Sequence, residues 1–531
     1  MSRETRTWVE RFPLLRSVAR LGRRSSAQPG TSAADKPRRY TIPRLALGVG
    51  LLWLVAIPAA AQTPIPGHPN DLQYPPMQFK LPAAAELRAT LSNGLVVFIA
   101  EDRMLPTFDL NVTIRTGSAV EPADRAGLAD LTGDQIRDGG TKNLTPEELD
   151  EKVDFLAASL SSNIGDTRGS ARLSCLSKDI DEGLGLFVEM LRYPRFDEER
   201  LRKAKDRMLQ NLKRRNDATA SISGIEWGFL MNGENHFTNR YSTPEAIKTV
   251  TRDDLFAFHR KYFHPGNMIL AVAGDFDRAK MLKKLEKAFG DWPVGETGPS
   301  TFPAPDFTPS PGVYLVDKKD VNQGRVTVGH KSIVRGSPDE FALMVMNGIL
   351  GASGFRSRLV AKVRSDEGLA YNTGSRFEQG VYYPEDFTAW FQSKSNSCVY
   401  ATKIVLDEIK RLQTEKVSDA DVADTVSFMV ESFPQRFQNK MTVLGAYASD
   451  EYTGRDSTYW QTYIDNLKKV KPDDVMRVAK KYLHPDQLVI LAVGDADAIF
   501  AGGHDKSPDL HLDAFGKVTR LPLRDPETLK R

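Results

Sequence analysis

Cysteine is almost missing from this chain. Cys175 and Cys398 are the two in 531 residues, too few for a disulfide framework. They sit at unmatched places in the two halves defined below and read as buried free thiols. A basic body is missing as well. The formal net charge is +3, but residues 1–61 carry eleven Lys/Arg against Glu4, Glu10 and Asp35, so the remainder stands at −5. A mildly acidic body offers no electrostatic footprint for nucleic acid. Short repeats of 20–50 residues, the mark of a solenoid, are absent too.

The basic N-terminus has its own reading. Residues 45–61 form a 17-residue stretch without a charge, preceded by Arg38, Arg39 and Arg44 and ending Ala59-Ala60-Ala61-Gln62. Basic flank, apolar run and small-residue cleavage site predict a secretory signal over 1–61. The alternative is an uncleaved membrane anchor, for which the stretch is slightly short and Pro58 is poorly placed. Export, with a periplasmic address, is the expectation. A Pro-rich connector follows (62–81).

One long-range repeat is present. Asp253-Asp254-Leu255 leads to Lys261-Tyr262-Phe263-His264-Pro265, the apolar residues 268–273 and Gly274-Asp275. Asp473-Asp474-Val475 leads in the same way to Lys481-Tyr482-Leu483-His484-Pro485, residues 488–493 and Gly494-Asp495, each matched position 220 residues on. A whole domain has been duplicated. The first copy spans 82–289 and the second 312–500. Between them residues 290–311 hold Pro293, Pro299, Pro303, Pro305, Pro309 and Pro311, an extended linker. Residues 501–531 read as a polar, loosely packed tail.

Within the first copy, residues 91–100 are strand-like around the turn signal Asn93-Gly94, and 110–115 alternate as a strand does. Residues 181–191 place Leu184, Phe187, Val188 and Leu191 on one helical face, and 198–215 place Leu201, Ala204, Met208 and Leu212 on another. In the second copy, 313–316, 326–329 and 370–375 read as strands. Phe355, Leu359 and Val363 stand at helical spacing and predict one buried face.

Leu91-Ser92-Asn93-Gly94-Leu95, Pro106, Gly117-Ser118-Ala119-Val120-Glu121-Pro122, Gly127-Leu128-Ala129 and Asp138-Gly139-Gly140-Thr141 resemble the opening of the pitrilysin/insulinase family of inverted-zincin metallopeptidases. Leu350-Gly351, Ser357-Arg358-Leu359 and Gly368-Leu369-Ala370-Tyr371 resemble its C-terminal domain. The resemblance covers residues 91–495 in order and implies an α+β fold. Two duplicated domains, each an antiparallel sheet backed by helices, would close as a clamshell around a substrate chamber.

That family's catalysis needs His-x-x-Glu-His after Gly-Leu-Ala: two imidazoles one helical turn apart on zinc and a glutamate as base. Here the segment reads Asp130-Leu131-Thr132-Gly133-Asp134. The family's third ligand, a glutamate six residues before an Asp, falls on Asn211, counting back from Asp217. The eight histidines (68, 236, 259, 264, 330, 484, 504, 511) form no such motif elsewhere. Asp130, Asp134 and Asn211 supply about three oxygens, whereas Ca²⁺ or Mg²⁺ wants six or more. Magnesium completed by water stays open, but Gly133 leaves no base. The simpler reading makes both aspartates polar lining of a chamber wall.

Arg364 and Tyr371 keep the spacing by which the family places an Arg/Tyr pair opposite zinc, the Arg holding substrate backbone and the phenol donating to oxyanion charge. The plain alternative is a solvated helix-end Arg and a Tyr packed on the core. A lost zinc motif beside a kept pair resembles the zinc-less subunit of the family's heterodimers. The expected partners are a zinc-bearing homologous subunit, which would hold the only cofactor, and a peptide or unfolded protein as substrate. A strand-like edge near 160–165, where the family adds substrate as a strand, matches only loosely through Ser161, Ser162 and Asn163. Two rival expectations are a peptide-binding or scaffold protein without a proteolytic role, and a lone enzyme with an altered metal site.

Overall fold

The computed structural model describes His68 and residues 79–531. The expected signal and most of the connector therefore lie outside the described residues. Residues 79–531 belong to one compact unit. Among the described residues no helix is long and apolar enough to cross a membrane.

The first half builds a six-stranded sheet from β1 (Arg88–Thr90), β2 (Val96–Glu101), β3 (Thr107–Ile114), β4 (Ser159–Ile164), β5 (Gly169–Leu176) and β6 (Met268–Gly274). Their order is β1-β2-β6-β3-β5-β4. The pairings are antiparallel, as expected, except β2 with β6, which run parallel. That exception follows from chain order. β6 returns to the sheet after 91 residues of mostly helical chain, and a crossover that long serves a parallel neighbour as readily as an antiparallel one.

The second half repeats the plan. Its strands are β7 (Gly312–Asp317), β8 (Gln323–Lys331), the two-residue β9 (Ile333–Val334), β10 (Ala370–Phe377), the two-residue β11 (Gln379–Gly380), β12 (Asp386–Lys394), β13 (Val489–Gly494) and β14 (Val518–Leu521). The main sheet runs β14-β7-β13-β8-β12-β10, with β9 and β11 paired apart. β2, β6, β3, β5 and β4 thus correspond to β7, β13, β8, β12 and β10. The sixth strand differs. β14 comes from the tail and lies parallel to β7, whereas β1 precedes β2 and is antiparallel to it.

β6 and β13 are buried at every position. A strand that is apolar on both sides needs cover on both faces. One face of each sheet is covered by helices of its own half, such as Ile180–Arg192 against β5. The other face is covered by the opposite half. Helix Lys440–Thr453 of the second half lies across β2, β6 and β3, with Tyr447 6.2 Å from the ring of Phe98 and its hydroxyl donating to the Pro82 carbonyl. Helix Thr219–Asn232 of the first half lies across β8 and β13, where Ile222 joins Val316, Leu491 and Val493. Those two helices start 221 residues apart, so each is the other's counterpart and each copy lends it to its twin. Burying side chains of this size contributes roughly 1.5–3 kcal/mol apiece.

The repeat signature is structural. In the second half Lys481 Nζ and Tyr482 Oη both donate to Asp339, as Arg477 does, tying the helix Pro472–Tyr482 to the start of Glu340–Asn347. In the first half His264 accepts from the Gly295 N–H and pairs with the Glu296 carbonyl, pinning the linker as it leaves the domain.

Two expectations need correction. Residues 501–531 are not loosely packed. β14 completes the second sheet, and buried Arg524 reaches Glu226 and Glu234 of the first half, with Arg531 also on Glu226. Phe355 is not on a buried face with Leu359 and Val363. It lies in a separate 3-10 turn (Gly354–Arg356) and is exposed, while the other two are buried, Leu359 immediately before and Val363 within a π-helix, Val360–Asp366. The wider π turn and the break at Ser357 spoil the 3.6-residue phase on which the shared face depended.

Candidate functional site

Helix Leu128–Asp138 carries the positions where the zinc motif would stand. Its first turn is capped from outside. The Glu121 carboxylate accepts from the N–H of Gly127 (3.1 Å) and of Ala129 (2.8 Å). Burial pushes that carboxyl up to about 7, against the pull of those two bonds. Asp130 is exposed and Asp134 half-buried. Burial raises both, Asp134 to about 6, with the Asp130 and Asp138 charges adding to it.

A guanidinium stands among these carboxylates. Arg207, from helix Glu198–Lys213, approaches Asp134 to 3.8 Å and Asp138 to 3.9 Å. Asn211, one turn further on, is exposed and bonds neither aspartate through its side chain. The cation of this site is therefore an arginine. Arg207 escaped the sequence reading, and its signal was its place four residues before Asn211, one turn along the same helix.

Gly133 answers the question of a base by packing. A Cβ built there would lie 2.6 Å from the Ile164 backbone nitrogen and 2.9 Å from the Asn163 carbonyl carbon, closer than real side chains come. The helix sits directly on β4, and β4 is the sheet's edge. The second half repeats the contact: a Cβ on Gly351 would lie 2.3 Å from the Ser375 nitrogen of β10. The helix that would carry a catalytic glutamate thus packs like its counterpart in the other copy. Zinc wants imidazole or thiolate donors, and neither is here. Among the described residues no group of three or more His, Cys, Asp or Glu is placed to hold a metal. The residues present do not fit zinc.

Arg364 and Tyr371 do come together. Gly368, at φ +62°, turns the chain from the π-helix into β10, so that the Arg364 guanidinium carbon lies 4.3 Å from the Tyr371 ring centre and 4.5 Å from that of Phe355. Tyr371 is 83% exposed, not packed on the core. The β10–β12 register shifts between Ala370 and Thr373, and this bulge displays Tyr371 at the sheet edge. Arg364 pairs with no carboxylate among the described residues. Neither the Arg364 guanidinium, held between two rings, nor the Tyr371 hydroxyl hydrogen-bonds a described residue, so both remain available as donors. The sequence reading assigned Phe355 to the core and so missed it as the second ring of this stack.

Sequence models of one family match both halves: "Insulinase (Peptidase family M16)" over residues 96–223 and "Peptidase M16 inactive domain" over 249–428. The chain belongs to the insulinase (M16) peptidase family. A relative described as non-peptidase homolog YmxG, from Helicobacter pylori, is 24% identical over 404 residues, covering 75% of this chain and 91% of its own length. The probable mitochondrial-processing peptidase subunit beta of Arabidopsis thaliana is 22% identical, over 78% of this chain and 79% of that protein. The solved structure of a peptidase M16 inactive domain from Pseudomonas fluorescens superposes with a TM-score of 0.69 at 21% identity. It covers 82% of this chain and 99% of that one. M16 architecture, two duplicated α+β domains facing each other, is therefore the fold of this chain.

Proposed function

We propose that this chain is the zinc-less subunit of an exported M16 peptidase, pairing with a zinc-bearing homologue and contributing Arg364 and Tyr371 to peptide binding and transition-state stabilisation. One observation carries the reading: an arginine stacked between two exposed rings, free of carboxylates, at an edge strand. A merely structural Arg/Tyr pair has no reason to be displayed in this way. A carbonyl oxygen gaining negative charge would accept from the phenol, and the guanidinium would hold the adjoining peptide backbone. Export and a periplasmic location rest on the signal-like residues 45–61.

The scaffold reading draws on a different observation, the contact of Gly133 with β4, which leaves the first half no catalytic machinery of its own. The two readings differ in one experiment. In a heterodimer reconstituted with the zinc-bearing homologue, Tyr371→Phe is expected to lower peptide turnover by roughly tenfold to a thousandfold, the range for losing one oxyanion donor, with an unchanged melting temperature. Unchanged turnover would mean the pair is architecture only and would favour the scaffold.

A further inference from the structure

A cavity of about 350 Å³ lies where the lent helix Thr219–Asn232 crosses the second sheet. The first half supplies Ser223 and Trp227, and the second supplies Arg325, Thr327, Arg376 and Trp390. Strand register puts the sheet residues on one face. Thr327 of β8 stands opposite Trp390 of β12, which stands opposite Gly374 of β10, with Arg325 and Arg376 on the flanking rows. A Cβ on Gly374 would lie 3.3 Å from the Trp390 ring, so the absence of a side chain there is what lets the indole lean toward β10.

The charges around this cavity are settled except one. Arg376 pairs with Glu378 at 2.9 Å. Asp386, which accepts from the Trp227 indole N–H at 2.9 Å, is neutralised by Lys331 at 2.8 Å. The Ser223 and Thr327 hydroxyls satisfy each other at 3.3 Å. Arg325 is half-buried, and its side chain makes no hydrogen bond or ion pair with any described residue. Burial depresses its pKa with no opposing carboxylate. A guanidinium partly stripped of water and left unpaired costs free energy that a bidentate carboxylate partner recovers.

The geometry points to this cavity as a subsite for an acidic side chain, Glu or Asp, of an extended peptide, with the indoles of Trp227 and Trp390 flanking the chain that carries it. This rests on the peptide-binding reading above. Arg325 stands opposite Gln392 of β12, which lies level with the β10 bulge at Tyr371, so the two groups are two strands apart, roughly 10 Å at the ordinary strand spacing.

The test measures binding to the full chain alone, without a partner. The probes are acetylated, amidated octapeptides of Ala and Ser carrying one central Glu, or Gln or Lys in its place, followed by tryptophan fluorescence and calorimetry. The Glu peptide is expected to bind at least about tenfold more tightly than the Gln peptide, the gain of one charge-assisted pair, and the Lys peptide more weakly than either. Arg325→Gln should erase the Glu preference while leaving Gln-peptide affinity in place, and Arg325→Lys should retain part of it. Equal affinity of the wild type for Glu and Gln peptides, or no binding of either, overturns the proposal. So does a Glu preference that survives Arg325→Gln. A heterodimer indifferent to Tyr371→Phe would leave the preference standing, so the two readings fail separately.

Discussion

A missing Cβ does more to define the first half's chemistry than the two aspartates beside it. Gly133 lets the helix Leu128–Asp138 rest on the backbone of β4, and any side chain there must push one from the other. Gly133→Ala is expected to destabilise the protein by about 1–3 kcal/mol, the cost of overpacking. Gly185→Ala, at an exposed helical position with open space around it, should be neutral or stabilising. Chemical denaturation of the two variants checks the contrast. The triple change Asp130→His, Gly133→Glu, Asp134→His should consequently bind no stoichiometric zinc by metal analysis, because the base has no room and Asn211 supplies no charge. Asp134 itself gives a pH signature. Its folded pKa of about 6 lies above its ordinary value of 3.8, so the folded state favours the protonated form and stability declines as pH rises from about 4 through 6. Asp134→Asn should therefore raise the melting temperature relative to wild type more at pH 7.5 than at pH 4.5.

Among the elements, the lent helices bear the greatest weight. Tyr447→Ala empties a fully buried ring from the face of β2 and β6 and is expected to cost about 3–5 kcal/mol. Tyr447→Phe keeps the ring and removes the hydroxyl's bonds to the Pro82 carbonyl and the Gln461 amide, about 0.5–1.5 kcal/mol each. Both variants should unfold in one transition, because the ring belongs to both halves, and fluorescence and circular dichroism melts that part company would contradict this. The helix-to-helix tie at Asp339 should show at low pH. Lys481, Arg477 and Tyr482 outweigh burial and hold its carboxyl near 2, so its contribution is present above about pH 4 and is lost as pH falls through 2.

The sequence made some of these elements legible and hid others. Alternation in β3 and the amphipathic helices Ile180–Arg192 and Glu198–Lys213 could be read directly, because each buries one face. The seven buried residues of β6 announce cover on both sides without saying which helix provides it. Thr219–Asn232 has no polar face to orient it, and the π-helix dissolves the spacing that placed Phe355 in the core. In the tail, Arg524 looks like a solvated charge until Glu226, nearly 300 residues earlier, is brought beside it. Arg364 and Tyr371 were found as a pair through a resemblance, but their stacking with Phe355 depends on a turn that periodicity does not report.

For the whole molecule, the exchange makes the two halves interdependent. A first-half fragment of residues 79–311 would leave β2 and β6 bare on one face, and a fragment of 312–531 would leave β8 and β13 bare. Each is expected to lack a cooperative melt and to expose apolar surface alone, and the two mixed should assemble into a folded complex. Gel filtration with denaturation of the separate and combined fragments decides it. Two cooperative fragments that ignore each other would show that the exchanged helices are ornament.

The reciprocal loan also carries a history. A half-length ancestor folded to this plan could not have covered its own sheet, since the helix that does so belongs to its neighbour. Such an ancestor would have lived as an interlocked homodimer, each copy completing the other, and tandem fusion then joined partners that already depended on each other. Divergence after fusion had unequal freedom. The glycine seats on β4 and β10 were kept in both copies, whereas the surface groups that do chemistry drifted apart, leaving aspartates and an arginine in one copy and a displayed tyrosine in the other.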